Sequence, residues 1–359
     1  MKRALRGGVV ALLATGAALV VAELGFRAFG PAPPKLPRLI GEDGEVVDLG
    51  QVIGFFRDGA ARDPDDPRNG IKPGFHARLC YDSPALPYFD DDGCVDVSIN
   101  SLGFRDEEFP LAKPAGEYRV LAIGDSFTFA QGCRAEDGWT EVLEERLAAE
   151  LGRPVQVMNA GFTGGGSWPQ EYAPWVIAHA LKYQPDRVVY GMCLNDMNRR
   201  VPMLAYVKVW GDEAPDEGWG RWLGGASHLL NHLQRERRQK AMLSVAPPDM
   251  TRIIEVDPGP WQANQAAIRA MSEHLDAAGV PFTVAVFPML SGLGADYPYA
   301  GLHAAVAEFC ASAGIDTVDL LAPFRGLDDM SLWVHPFDQH PNPTAHRMFA
   351  DGIFAHLRE

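Results

Sequence analysis

A serine stands at the point where an apolar run of the chain ends. Residues 119–132 read RVLAIGDSFTFAQG, and the β-branched, apolar start of this stretch predicts a buried strand. Ser126 closes the triplet Gly124-Asp125-Ser126 directly after it, at the carboxyl end where open α/β sheets bind ligands. Because glycine, aspartate and serine are ordinary turn residues, the triplet by itself favours a plain strand-to-helix turn.

Three later segments add polar groups in comparable positions. Gly161 and Asn195 each come just after an apolar run, and His340 follows Asp338 by two residues before a final helical pattern. A parallel sheet would gather the ends of the runs along one edge. A serine hydroxyl, a glycine N–H, an asparagine amide and an imidazole beside a carboxylate are the groups that nucleophilic acyl transfer needs.

These residue types predict a separate chemical role for each residue. A serine hydroxyl is a poor nucleophile at neutral pH unless a base takes its proton, so Ser126 needs a partner such as His340. An imidazole titrates near ~6.5, which suits that task. Asp338 would accept a hydrogen bond from the other ring nitrogen, fixing the tautomer and stabilising the imidazolium.

The four segments resemble the signature blocks of the SGNH hydrolases, also called GDSL esterases and lipases. The resemblance runs from about residue 119 to the end, with all four blocks in the family's order. It implies a three-layer α/β/α, flavodoxin-like fold with a central parallel sheet, and ester hydrolysis without a cofactor or metal. In the family's arrangement the oxyanion hole is formed by the backbone N–H groups of Ser126 and Gly161 and by the side-chain amide of Asn195.

Two details refine the resemblance. Only Gln339 separates Asp338 from His340, where the family usually has two residues. Some relatives that move acetyl groups on polysaccharides share the shorter spacing, which favours acetyl chemistry on glycans. Segment 100–106, Asn-Ser-Leu-Gly-Phe-Arg-Asp, resembles one that often precedes the first block in membrane-anchored bacterial members.

Each candidate also has a structural explanation. Asn195 could cap the next helix, and Asp125 is expected to brace its turn and not to transfer protons. Asn342 and Pro343 fit an N-cap and first helical position, which would hold the preceding histidine rigidly. Among the other histidines, His335 is the rival base because it also lies in a loop before the last helix.

Three functions remain open at this level. The first is an extracytoplasmic serine esterase that cleaves an acetyl or other acyl ester through an acyl-serine intermediate. The second is an O-acyltransferase that passes the same acyl group to a glycan hydroxyl. The third is a non-catalytic carbohydrate-binding relative, against which the intact set of Ser126, Asn195 and His340 argues. The formal net charge of −15 disfavours nucleic acid as a partner.

The N-terminus predicts export. Lys2, Arg3 and Arg6 precede an uncharged run at 7–22 that Glu23 ends, and cations before an apolar stretch direct the rest of the chain outward. The family resemblance favours an uncleaved anchor at 1–30, making the chain a single-pass protein of the bacterial inner membrane with its catalytic domain outside the cytoplasm. The run is also short enough for a cleaved signal peptide, which would leave a secreted or periplasmic protein.

The remaining pattern divides the chain into regions. A linker and irregular extension at 31–117 precedes an SGNH hydrolase domain at 118–359, in which strands and helices alternate. An insertion at about 203–250 is either a lid or substrate-binding cap over the site, or a membrane-facing patch or plain structural embellishment. Among five cysteines, Cys80 and Cys94 flank a loop rich in proline and aspartate that a disulfide could close in an oxidising compartment.

Overall fold

The computed structural model describes residues 2–30, 38–47, 73–81, 86–162, 169–197, 227–230, 232–233, 250–336 and 338–358. The chain forms two compact units. One comprises Met1–Leu36 and Pro202–Ala246, and the other comprises Pro37–Val201 and Pro247–Glu359. All of the sequence-predicted site residues belong to the second unit.

A five-stranded parallel sheet forms the centre of the second unit. Its strands are, in chain order, β5 (Tyr118–Gly124), β6 (Val155–Gly161), β7 (Arg187–Cys193), β8 (Phe282–Phe287) and β9 (Asp316–Asp319). Their order in the sheet is β6-β5-β7-β8-β9, and every neighbouring pair is parallel. This is the flavodoxin-like order, in which the chain reverses its direction of winding between the first and third strands. The predicted α/β fold with a central parallel sheet is confirmed.

Helices cover both faces of the sheet because successive strand residues point to opposite sides. Leu121 and Ile123 belong to one hydrophobic cluster, and Val120 and Ala122 belong to the other. The long helices that supply buried residues to the first cluster are α3 (Pro169–His179), α5 (Pro258–Ala277) and α6 (Ala300–Ala313). Those that supply the second are α2 (Trp139–Leu151) and α7 (Pro343–Leu357). A short helix, α4 (Ile253–Val256), precedes α5.

A four-stranded antiparallel sheet precedes the parallel one. It contains β1 (Arg38–Gly41), β2 (Val46–Val47), β3 (His76–Cys80) and β4 (Cys94–Ser98), in the order β2-β1-β3-β4. Its inward residues, among them Leu79 and Val95, belong to the same hydrophobic cluster as Leu121 of β5. The disulfide left open by the sequence is formed, and it joins the paired positions Cys80 and Cys94.

Short elements complete the second unit. The two-stranded sheet of β10 (Trp333–His335) and β11 (Asp338–Pro341) lies just before α7 in the chain. The 3₁₀ helices cover Ala135–Asp137, Ala180–Tyr183, Leu194–Met197, Met250–Arg252, Ala322–Phe324 and Asp329–Leu332.

The first unit contains helix α1 (Lys2–Phe29). Among the residues that the structure describes, no helix is both long and apolar enough to cross a membrane. The sequence-predicted membrane anchor is therefore not confirmed. The insertion at 203–250 lies almost wholly outside the described residues, so the lid hypothesis stays a prediction.

Candidate active site

The parallel sheet brings Ser126 and Asn195 to one edge. Ser126 follows β5 by two residues, and Asn195 follows β7 by two residues. The two strands are hydrogen-bonded neighbours, with Gly124 opposite Gly191. They are also the first and third strands, between which the direction of winding reverses, and α/β folds of this kind bind ligands in the crevice at that point.

His340 contacts the serine directly. Its Nε2 lies 2.9 Å from the Ser126 Oγ, a hydrogen-bond distance that lets the imidazole take the hydroxyl proton. His340 is carried by β11, two residues before Asn342. The Asn342 side chain caps α7 by accepting hydrogen bonds from the N–H groups of Thr344 and Ala345. The helix start thus holds the histidine in place, as the sequence predicts.

Asp338 contacts the other side of the same imidazole. Its Oδ1 accepts hydrogen bonds from His340 Nδ1 and from the His340 backbone N–H, the latter at 3.1 Å. The short spacing follows from the local structure, since both residues lie on a strand and alternate strand residues share a face. A single intervening residue, Gln339, therefore places the side chains of Asp338 and His340 on the same face of the strand.

The two charges of this pair stabilise each other. Burial alone would lower the pKa of His340, but the charge and hydrogen bond of Asp338 outweigh it, and the pKa is raised. Burial alone would raise the pKa of Asp338, but His340 and the Tyr81 hydroxyl lower it. The carboxylate is therefore ionised at neutral pH, and an ionised carboxylate in this position stabilises a protonated imidazole.

Tyr81 also contacts Asp338, and the sequence gives no signal for this role. Its hydroxyl donates a hydrogen bond of 2.7 Å to the Oδ2 of Asp338, from 257 residues earlier in the chain. No motif includes Tyr81, and it stands in the segment predicted to be an irregular extension. Only the long-range packing of the β3–β4 hairpin brings it to the site.

The rival histidine, His335, has a different environment. It lies on β10, where it is buried and its ring stacks on that of Tyr81 with the centroids 5.1 Å apart. Burial lowers its pKa, and the charge of Asp338 only partly opposes that effect. The contact with the Ser126 hydroxyl is made by His340 instead.

Asn195 is oriented by Asp125, the middle residue of the first block. The Asn195 Nδ2 donates to the Asp125 Oδ2 at 3.0 Å, and the Asp125 Oδ1 accepts the Phe127 N–H at 2.9 Å. Asp125 therefore braces its turn, as predicted, and also fixes the neighbouring amide. One N–H of the Asn195 amide remains for a ligand, and the Ser126 backbone N–H carries no hydrogen bond within the described part of the chain.

The Gly161 N–H has an acceptor inside the protein, since it donates to the Oδ1 of Asn159 at 3.0 Å. Its role in an oxyanion hole stays a prediction. A Cβ at this position would lie 2.2 Å from the backbone nitrogen of Phe129. Glycine is needed here because β6 and the loop after Ser126 approach closely. Residues 163–168, which follow, lie outside the described residues.

Arg105 binds the backbone of the loop that follows Ser126. Its guanidinium is almost fully buried and donates to the carbonyl oxygens of Phe129, Ala130 and Cys133. Burial lowers its pKa to about 10, so it stays charged at neutral pH. In the sequence, Arg105 was indicated only by its place in segment 100–106. That segment resembles one in family members, but the sequence did not show what it does in the structure.

The set can perform nucleophilic acyl transfer. A hydroxyl, an imidazole in contact with it and a carboxylate on the far ring nitrogen are joined by hydrogen bonds, and the Asn195 amide is bound to Asp125, the neighbour of Ser126. Within the described ranges, no group of three or more His, Cys, Asp or Glu residues could hold a metal ion.

Comparison with known proteins agrees with this chemistry. A profile of the GDSL-like Lipase/Acylhydrolase family matches residues 122–348, well over half of the chain. The chain therefore belongs to the GDSL-like lipase/acylhydrolase family, and the family supports ester hydrolysis as its general class of activity. No curated protein matches the chain.

Solved structures show more distant similarity. A lipolytic protein of the G-D-S-L family from Desulfitobacterium hafniense DCB-2 shares 16% identity over 66% of this chain and 98% of its own, with a TM-score of 0.38. An acetylxylan esterase from Geobacillus stearothermophilus shares 14% over 67% and 94%, with a TM-score of 0.42. A psychrotrophic esterase from Pseudoalteromonas sp. shares 14% over 67% and 96%, with a TM-score of 0.38. Similarity at this level carries no argument about substrate.

Proposed function

We propose that the protein is a serine esterase that cleaves an acyl ester through an acyl-enzyme on Ser126. One observation carries the proposal: the His340 Nε2 lies 2.9 Å from the Ser126 Oγ while the Nδ1 of the same ring is held by Asp338. A serine that only shaped a turn would need neither contact.

The reaction follows from these positions. His340 takes the Ser126 proton as the Oγ forms a bond to the ester carbonyl carbon, and the carbonyl oxygen becomes an oxyanion. The Ser126 N–H and the free N–H of Asn195 stabilise that charge. The bond to the leaving alcohol then breaks, and the alcohol receives the proton from His340. Water repeats the sequence and releases the acid, returning the proton to Ser126.

Labelling with a fluorophosphonate tests the nucleophile and its base. Wild type should be labelled at Ser126, and Ser126→Ala and His340→Ala should not be. His335→Ala is the matched control, since the hydrogen bond to the Ser126 hydroxyl is made by His340, and it should keep most of the labelling. Labelling that survives in His340→Ala and disappears in His335→Ala would move the base to His335.

The acceptor of the acyl group is decided by a second assay. We propose water as the acceptor and the ester of an acetyl or other acyl group as the substrate. Hydrolysis of a chromogenic acetyl ester should proceed at the same rate with and without added oligosaccharides. Accumulation of acylated sugar would instead make the protein an O-acyltransferase. No turnover and no labelling of folded protein would leave a carbohydrate-binding relative.

We also propose that the catalytic unit works outside the cytoplasm. Two observations support this: cations precede the apolar N-terminal run, and the Cys80–Cys94 pair forms a disulfide, which persists in oxidising compartments. Alkaline phosphatase fused to the C-terminus should be active in cells. It should lose activity when Lys2, Arg3 and Arg6 are made neutral. An inactive wild-type fusion would overturn the proposed location, and fractionation of the cells tells whether the protein is retained by the membrane.

A further inference from the structure

Asp338 has two carboxylate oxygens, and they are held by different parts of the chain. The Oδ1 faces His340, while the Oδ2 accepts the Tyr81 hydroxyl at 2.7 Å. We propose that Tyr81 is a positioning residue that orients the Asp338 carboxylate toward His340. The proposal rests on the serine esterase function proposed above, and it deepens that function by adding the antiparallel sheet to the site.

The geometry of a carboxylate explains why a second hydrogen bond matters. A carboxylate held through one oxygen can rotate about the bond to its Cβ, and that rotation changes how it meets the imidazole. Because Tyr81 holds the Oδ2 of Asp338, the plane of the carboxylate is fixed. A fixed plane keeps His340 in the tautomer and orientation that catalysis needs.

Tyr81 is itself held firmly. It follows Cys80 of the disulfide, and its N–H donates to the Gly93 carbonyl at 2.9 Å. Its ring is buried and stacks between Phe89, at 5.0 Å, and His335, at 5.1 Å. A rigid donor loses little conformational freedom when it binds the carboxylate, so its hydrogen bond is effective.

The ring and the hydroxyl of Tyr81 have separate tasks. The ring contacts Phe89 and His335, and phenylalanine would keep both stacks. Within the described residues the hydroxyl has one hydrogen-bond partner, Asp338. Burial raises the pKa of Tyr81 well above its ordinary value, so the hydroxyl keeps its proton and remains a donor. Tyr81→Phe therefore removes the positioning contact with little change in packing.

A double-mutant cycle tests the inference, with Tyr81→Phe, Asp338→Asn and the double variant. The measured quantities are kcat and KM on an acetyl ester and the rate at which a fluorophosphonate labels Ser126. A hydrogen bond to a charged group corresponds to a factor of about 10 to 100 in rate. We expect Tyr81→Phe to lower kcat and the labelling rate by about that factor, with KM within about twofold. In the Asp338→Asn background the same change should cost less than about twofold.

Tyr88→Phe is the matched control. The Tyr88 hydroxyl donates to the Val334 carbonyl at 2.7 Å, so it also ties the segment before β4 to β10, and no hydrogen bond between the described residues joins it to Asp338. Its effect on the labelling rate should be the same in the wild-type and the Asp338→Asn backgrounds. Equal effects of Tyr81→Phe in both backgrounds would overturn the inference, because a structural role has no reason to depend on the carboxylate.

Failure of this inference is distinguishable from failure of the proposed function. If Ser126→Ala retains turnover, the serine esterase proposal itself is wrong. If Ser126→Ala and His340→Ala are inactive while folded Tyr81→Phe keeps the wild-type kcat, only the positioning role is overturned. Thermal unfolding of each variant identifies any loss of activity that comes from loss of fold.

Discussion

The protonation of His340 sets the lower pH limit of the proposed reaction. Burial would lower the pKa of His340, but Asp338 outweighs it and raises the pKa above its ordinary value. Since the base must be neutral, kcat/KM should fall as the pH drops through that raised value. Asp338→Asn should lower kcat/KM strongly and move this acid limb to lower pH. Profiles of kcat/KM against pH measure both effects, and a limb that stays in place would contradict the coupling.

The side-chain amide of Asn195 is predicted to act on the transition state. Asp125 orients it, and one of its N–H groups faces no protein acceptor that the described residues provide. Removal of one oxyanion donor typically lowers kcat by about 100- to 1,000-fold. Asn195→Ala should therefore show such a loss in kcat, with KM nearly unchanged. Steady-state kinetics on a short acyl ester measure it, and a kcat within about twofold of wild type would exclude the role.

At the residue scale, part of the site could be predicted and part could not. Ser126, Asn195 and the pair of Asp338 and His340 were predictable because each closes an apolar run or precedes a helix cap. The hydrogen bond from the Gly161 N–H to Asn159 was not predictable, because a sequence motif does not encode the direction of the accepting side chain. Tyr81 was missed since its partner lies 257 residues away.

Gly161 belongs to the element scale, because it lets β6 pack against the loop after Ser126. In Gly161→Ala the new Cβ would meet the backbone of Phe129 and Thr128, neither of which moves easily. Overpacking of this kind costs about 1–3 kcal/mol. We expect the midpoint of urea unfolding to fall accordingly. An unchanged midpoint would show that the packing explanation is wrong.

The β3–β4 hairpin depends on its disulfide. Cys80 and Cys94 are 14 residues apart, and closing a loop of about that length contributes about 3 kcal/mol in the chain-entropy account. Cys80→Ser/Cys94→Ser should lower the free energy of unfolding by about that amount. A reductant should shift the wild type to the midpoint of the variant and leave the variant unchanged. A wild-type unfolding midpoint that does not change when reductant is added would contradict this expectation.

Helices and strands were the most predictable elements. Helix α2 spans Trp139–Leu151, and Gly152 ends it in the left-handed conformation with φ 60°. The last helix begins at Pro343 with Asn342 as its N-cap, as these two residues predicted. Apolar periodicity and capping residues carry this information locally. The pairing of β10 with β11 was not predictable, because short strands with mixed composition have no comparable signal.

At the scale of the whole molecule, the alternation of strands and helices predicted the parallel sheet and the edge on which the site lies. The antiparallel sheet was foreseen only as an irregular extension, yet it supplies Tyr81 and buries Leu79 and Val95 in the shared core. Sequence alone does not show that a separate sheet reaches the catalytic carboxylate, since that depends on how two layers pack.

Trapping the covalent intermediate tests the central claim most directly. The protein is mixed with a chromogenic acetyl ester, quenched in acid during turnover, digested and analysed by mass spectrometry. The account predicts an acetyl group on Ser126 in wild-type protein and on no residue of Ser126→Ala, which should also lack turnover. Turnover by Ser126→Ala, or an acetyl group carried by a different residue during turnover, would contradict it.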